Sequence, residues 1–350
     1  MIFKKMNKRI HIKSSIVALG MLVLLSSCSV FKKNRNALKP DIVTEKVMFD
    51  TDDPAIWINP EDASKSIIVG TDKQTGGGLY AFDLDGKIIN KVTGLGRPNN
   101  VDIGYGLSVD GKSVDFAVVT ERDTDKVRIY SLPDLKEIGE FSVFDGEELR
   151  SPMGISVYKN PESKEIYAIV GRKTAPSGQY LWQYKLSDNQ GKIQTDVVRK
   201  FGQFSGLKEI ESVAVDAELG LIYYSDEMFG VHVYHADPEK GDEEILLFGK
   251  GDFQRDIEGI SIYPTAPGKG YILISNQQAD TFNVYLRENP AKGKIAEIPF
   301  STSESDGSEV TAIPLGDRFP KGVFVAMSNG KVFHYYDWRK IEEQIKKAQQ

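Results

Sequence analysis

The side chains of this chain that could carry chemistry are oxygen donors set just ahead of short apolar runs. Asp52 and Asp53 precede Pro54-Ala55-Ile56-Trp57, Asn99 and Asn100 precede Val101 with Asp102 beside it, and Glu211 precedes Ser212-Val213. Asp256 and Glu258 flank Ile257, and Asp306 lies three residues before Glu309. Taking Asp53, Asn100, Met153, Glu211, Glu258 and Glu309 as equivalent points, the pattern returns at intervals of roughly 47 to 58 residues, a period suited to propeller blades. A second set follows the strongest apolar run of each unit: Lys73, Arg122, Lys173, Glu227, Gln277 and Asn329. Its first three members are cations and its last three are not.

Carboxylates, amides and backbone carbonyls, without cysteine or clustered histidine, favour Ca2+ or Mg2+ over zinc or copper. So many carboxylates in one place repel one another, and their pKa values rise unless cations neutralise them. The bland alternative is that some of them form structural ion pairs with Lys73, Arg122 and Lys173. Three basic side chains beside a cation cluster make a receptor for a polyanion, and phosphate is the natural candidate.

The elements that must position these groups are short strands. Each unit reads as four of them, which makes an all-β, six-bladed β-propeller over residues 41–338. The second strands are expected at 66–70, 116–119, 166–170, 221–224, 271–274 and 323–326. The third strands, at 78–82, 127–130, 180–184, 231–234, 282–285 and 332–335, alternate as half-buried strands do. A strand at 42–49 precedes the first full blade and is expected to pair into the last one, closing the ring. Residues 339–350 form a short charged amphipathic helix, expected at the periphery. The innermost strands line the propeller axis, so the donors beside their ends face one common mouth. Asp83-Leu84-Asp85-Gly86 lacks the later ligands of a calcium loop and reads as a turn.

With 350 residues, 40% of them hydrophobic, the chain can bury a large core. Its net charge of -6 argues against nucleic acid as a partner. Residues 1–13 are basic, 16–25 are apolar, and Leu25-Ser26-Ser27-Cys28 follows. That order reads as a bacterial secretion signal over 1–27 of the lipoprotein type, with lipidation of Cys28, a flexible tether over 28–40 and residence in the cell envelope, periplasmic or on the outer membrane. An ordinary signal peptide with an incidental cysteine is the alternative. The apolar run falls short of the ~20 residues of a spanning helix. Cys28 is the sole cysteine, which excludes an internal disulfide, a thiolate metal site and a cysteine nucleophile. Residues 71–78 are glycine-rich but no Gly-Lys-Ser/Thr follows, so they form a hairpin and not a P-loop; His-Glu-x-x-His and Gly-x-Ser-x-Gly are also absent.

From Asp50 to Trp338 the chain resembles the β-propeller phytases, bacterial calcium-dependent 3-phytases with six blades. The likeness rests on Asp52-Asp53-Pro54-Ala55-Ile56-Trp57, Asn99-Asn100-Val101-Asp102-Ile103 and Asp256-Ile257-Glu258-Gly259, in that order. The resemblance implies a phosphoric monoester hydrolase that acts on myo-inositol hexakisphosphate (phytate), or on its calcium complex, with several Ca2+ ions. It implies phosphate-binding roles for Lys73, Arg122 and Lys173, and calcium-bridging, catalytic roles for Glu211, Glu227 and Glu258. Asp52, Asp53, Asn99, Asp102, Asp256, Gln277 and Asp306 would be further metal ligands or their supports. A monomer is expected, active at neutral or mildly alkaline pH.

Two positions depart from that family: Met153 where many members have a substrate-contacting tyrosine, and Gly104 where an arginine is usual. Two other readings stay open. One is a different metal-dependent propeller hydrolase such as a lactonase, since propellers host unrelated chemistry. The other is a non-catalytic surface binding protein stabilised by calcium.

Overall fold

Period-2 alternation with apolar residues on both faces decides how these strands stack. In the computed structural model, which describes residues 36–350, every residue of the strand Ile67–Asp72 is buried. Ile68 packs with Phe333 and Tyr335 on one side, while its neighbour Val69 packs with Ala117 and Val119 on the other. The same division is repeated in the next blades: Val118 and Val119 belong to different cores, as do Ile169 and Val170. The described residues thus form six interblade cores, one between each neighbouring pair of blades. Fully burying one such aliphatic or aromatic side chain contributes about 1.5–3 kcal/mol.

The sheets are six, each of four antiparallel strands, as expected for a six-bladed propeller. Blade one runs Thr51–Trp57, Ile67–Asp72, Gly78–Phe82 and Ile88–Thr93 from the axis outward. Blade six takes Ser308–Val310, Val323–Ser328 and Val332–Asp337 from the end of the chain, and its outermost strand, Ile42–Val43, from the beginning. Ile42 pairs with Tyr335 and Val43 with His334, which closes the ring. The closing strand is shorter than the expected 42–49. At Glu45 the chain turns to blade one, where its amide donates to Gly86 O at 2.8 Å and its carboxylate accepts from Ile88 N.

Both ends of the described residues are tied to blades five and six. Leu38, within the expected tether, exchanges backbone hydrogen bonds with Pro299 and Ser301 at 2.8 Å. The C-terminal helix Trp338–Ala348, capped by Asp337, is not peripheral. Its residues Trp338, Ile341 and Ile345 fall on one stripe at helical spacing and are wholly buried, and the Trp338 indole stacks on Tyr263 with centroids 3.5 Å apart. The signal segment 1–27, Cys28 and the tether up to residue 35 lie outside the described residues. No described helix is long and apolar enough to cross a membrane.

Candidate metal and phosphate site

Local backbone irregularity aims the site residues. In blades one to three the inner strand begins with one extra residue relative to its neighbour. Thr51 pairs with Asp72 but Pro54 with Gly70, Pro98 with Glu121 but Val101 with Val119, and Pro152 with Arg172 but Ile155 with Val170. Such a β-bulge re-aims consecutive side chains, and Asp52, Asn99 and Met153 hold equivalent places in it. In blades four to six the inner strands start later, at Val213, Ile260 and Ser308, with Glu211, Glu258 and Asp306 each two residues before. Gly154 lets Glu211 approach, because a Cβ there would overlap the Glu211 carbonyl oxygen. Lys73, Arg122, Lys173, Glu227, Gln277 and Asn329 are each the first residue past the second strand of their blade.

Most of these side chains meet in one connected group. The Lys73 ammonium lies 3.1 Å from Asp52 Oδ1 and 3.8 Å from Asp50 Oδ2, and it donates to Asp306 Oδ2. Asp306 Oδ1 accepts from Gln277 Nε2 at 2.5 Å. Arg122 donates to Asn99 Oδ1, touches Met153 Sδ and lies 3.8 Å from Glu211 Oε1. Carboxylate oxygens of Glu209, Glu211 and Glu227 lie within 4.8 Å of one another, and so do those of Glu227, Asp256 and Glu258. Lys173 stands at the edge of the group, 53% exposed, 2.8 Å from Glu209.

Two of the expected ligands face elsewhere. Asp53 accepts from Val101 N at 3.1 Å, and Asp102 accepts from Ser156 Oγ at 2.8 Å and Val157 N at 2.7 Å. Both line a cavity of about 360 Å³ around the axis, together with Glu309. Burial pushes Glu309 up to about 8, with the Asp102 charge adding. Gly104 lines the same cavity, and a Cβ there would overlap the Phe116 ring. The bulky Phe116 therefore excludes a side chain at this position.

The structure adds residues that the blade pattern passes over. Lys208 holds Glu227 Oε2 at 2.5 Å and Asp256 Oδ1 at 2.9 Å, and Gln278 donates to Asp256 Oδ2 at 2.6 Å. Glu209 completes one of the carboxylate triplets. Lys208 and Glu209 sit in Lys-Glu-Ile-Glu, so the charged run leading to Glu211 was the available signal.

The charge balance leaves the acids unsatisfied. Asp52 Oδ2, Glu227 Oε1 and Glu258 Oε2 are buried without a hydrogen-bond partner, a costly state for a carboxylate. Burial pushes the Glu227 carboxyl up to about 9, with the Lys208 hydrogen bond opposing and the Glu211 charge adding. Glu258 and Asp306 are raised well above the carboxylate range, first by burial and then by the charges of Glu211 and Asp52 respectively. For Glu211 burial works in the same direction, but the Glu258 hydrogen bond and the Lys73 and Arg122 charges outweigh it and lower its pKa. The hydrogen bond between Glu211 and Glu258 favours the charged form of the first and the neutral form of the second. Convergent oxygen donors, several of them orphaned, fit a hard divalent cation.

The sign of the pH dependence follows. With raised pKa values in the folded state, the folded chain holds protons that the unfolded chain has released, so stability falls as pH rises between the two. For Glu227 that window runs from 4.5 to about 9. Melting curves recorded in chelator should show a melting temperature that falls across this window; one that rises throughout would contradict the raised pKa of Glu227.

Comparison with known proteins gives the family. The family model described as Phytase matches residues 11–345. A curated relative, a 3-phytase of Bacillus subtilis (strain 168), is 28% identical over 361 residues, covering 94% of this chain and 92% of the relative. On the match along nearly its whole length, this chain belongs to the phytase family.

Proposed function

We propose that the chain is a calcium-dependent phytase that releases phosphate from myo-inositol hexakisphosphate, free or as its calcium complex. The observation that carries this reading is the group of buried carboxylates with orphaned oxygens directly beside Lys73 and Arg122. Glu211, Glu227, Glu258, Asp52, Asp256 and Asp306 would hold the ions, with Asn99 and Gln277 adding neutral oxygens. Asp53 and Asp102 would hold or support a cation from the axial cavity. Calcium, when bound, supplies charge neutralisation for the phosphoryl group and activation of water.

The chain's own residues do the rest. Lys73 and Arg122 present positive charge and N–H donors to the non-bridging oxygens of one phosphate, where negative charge is concentrated during transfer. Asp52 and Asn99 fix the directions of those two cations, so little reorganisation is needed when substrate arrives. Lys173, more exposed and on the edge, is placed to take a neighbouring phosphate of the same substrate.

Phosphate release from phytate near neutral pH, with calcium and then with chelator, tests the reading. Release that stops on chelation is expected, and Glu211→Gln should lower turnover by roughly 100-fold or more while the fold is kept. Full activity of that variant would remove Glu211 from its role. Calcium binding together with tight binding of inositol phosphates, and no release, would favour the binding-protein reading, for which the Met153 contact that occupies Arg122 is the supporting observation.

We also infer export and lipid attachment through Cys28, from the basic, apolar and Leu-Ser-Ser-Cys order of residues 1–28. Radiolabelled palmitate should enter the wild-type chain and not Cys28→Ser; equal labelling of both would end this inference.

A further inference from the structure

Lys208 stands where a metal's charge is needed. It lies on an irregular segment between the outer strand of blade three, which ends at Phe201, and the inner strand of blade four, which begins at Val213. Its ammonium bridges two blades, bonding Glu227 just past the second strand of blade four and Asp256 just ahead of the inner strand of blade five. The two acids are withdrawn from water, with side chains 0% and 10% exposed, whereas Lys208 keeps 28% of its side chain in solvent. Burial works against its charged form, but the hydrogen bonds to Glu227 and Asp256 outweigh that and hold its pKa above the ordinary lysine value.

One ammonium does not satisfy this corner. Glu227 Oε1 and Glu258 Oε2 remain without partners, and the further cation at this corner, Arg255, comes no nearer than 3.8 Å to Asp256 Oδ1. A divalent cation brings twice the charge and takes six to eight oxygens at once. The backbone around Lys208 is held on both sides. Ser205 is pinned to Asp226 through its amide at 2.6 Å and its hydroxyl at 2.7 Å, and the Ile210 amide donates to Tyr180 Oη at 3.2 Å. The Leu207 amide donates to Ser205 Oγ at 3.2 Å and the Glu209 carbonyl accepts from Glu227 N at 3.1 Å, so it is the Lys208 side chain, 28% exposed, that can swing outward by rotation about its own bonds without moving Glu211.

We propose that Lys208 is a resident counter-cation: it holds the Glu227–Asp256 corner together in the metal-free protein, leaves it when calcium binds, and thereby sets the calcium level at which the site loads. This rests on the proposal that the mouth carboxylates bind calcium. A site held by its own lysine binds calcium with an affinity reduced by the fraction of molecules in which the lysine is out. The same contact protects the empty site from the repulsion of its own acids, so the enzyme persists folded when calcium is scarce and switches on as calcium rises.

Two measurements test this. In the wild-type protein, acylation of Lys208 by acetic anhydride, read by peptide mass spectrometry, should increase several-fold when calcium is added. In Lys208→Met, and in Lys208→Gln should the first variant not fold without metal, calorimetric titration should show calcium binding tighter by roughly 5-fold to 150-fold, and the melting temperature in chelator should drop. If wild type binds calcium while acylation is indifferent to it and both variants titrate like wild type, the role assigned to Lys208 is wrong and the calcium reading stands. If the variants take an extra ion but acylation of wild type does not respond, displacement is likewise overturned, since the lysine would then be a permanent substitute. If no form binds calcium, the calcium reading itself fails.

Discussion

Glu211, Glu227, Asp256, Glu258, Asp52 and Asp306 repel one another in surroundings that take them out of water, and the fold is arranged to keep them there. Repulsion of that kind would spread a flexible site apart. Here each acid is fixed to the start of an inner strand or the end of a second strand, and those second strands are buried on both faces. The six interblade cores carry the mechanical load, so the stability that packing contributes is drawn on at the mouth. Lys73, Arg122 and Lys208 neutralise part of the charge; the orphaned oxygens of Glu227 and Glu258 mark what they leave over. Convergent, partly unpaired acids of this kind suit a divalent cation, and a cation held among them and flanked by lysine and arginine would attract phosphate.

The extra residue in the inner strands of blades one and two gives the fold two polar compartments. It sends Asp52 to the mouth and its neighbour Asp53 to the axial cavity, and it does the same for Asn99 and the residues after it. Carboxylates thus continue down the axis, through Asp53, Asp102 and Glu309, beneath the group that meets Lys73 and Arg122. Closure of the ring by Ile42–Val43, and the docking of Leu38 and the C-terminal helix on blades five and six, keep these compartments in register where the first and last blades meet.

Much of this was legible in the residues. Second strands buried on both faces read as continuous apolar runs, and they mark the blade period; the residues just past them, from Lys73 to Gln277, are all aligned by that signal. The opposite facings of Asp52 and Asp53 were not legible, because they depend on a one-residue bulge that leaves no trace in composition. Lys208 escaped for another reason: it lies in an irregular segment whose counterpart in blade five places Arg255 ahead of Asp256-Ile257-Glu258, and only the contacts of Lys208 with Glu227 and Asp256 give it meaning. The short closing strand and the buried helix were legible in part. The apolar spacing of Trp338, Ile341 and Ile345 signals a covered face, whereas the departure of Glu45 toward Gly86 is a tertiary contact that no local pattern announces.

In the proposed function every step depends on cations filling the gap among the mouth carboxylates. Anomalous diffraction from crystals grown with calcium, recorded at a wavelength where calcium scatters anomalously, measures their presence directly. Peaks among Glu211, Glu227, Glu258 and Asp306 are expected. A map whose anomalous peaks lie only in the axial cavity near Asp53, or nowhere, with the mouth carboxylates still held by Lys73 and Lys208 alone, would contradict that dependence.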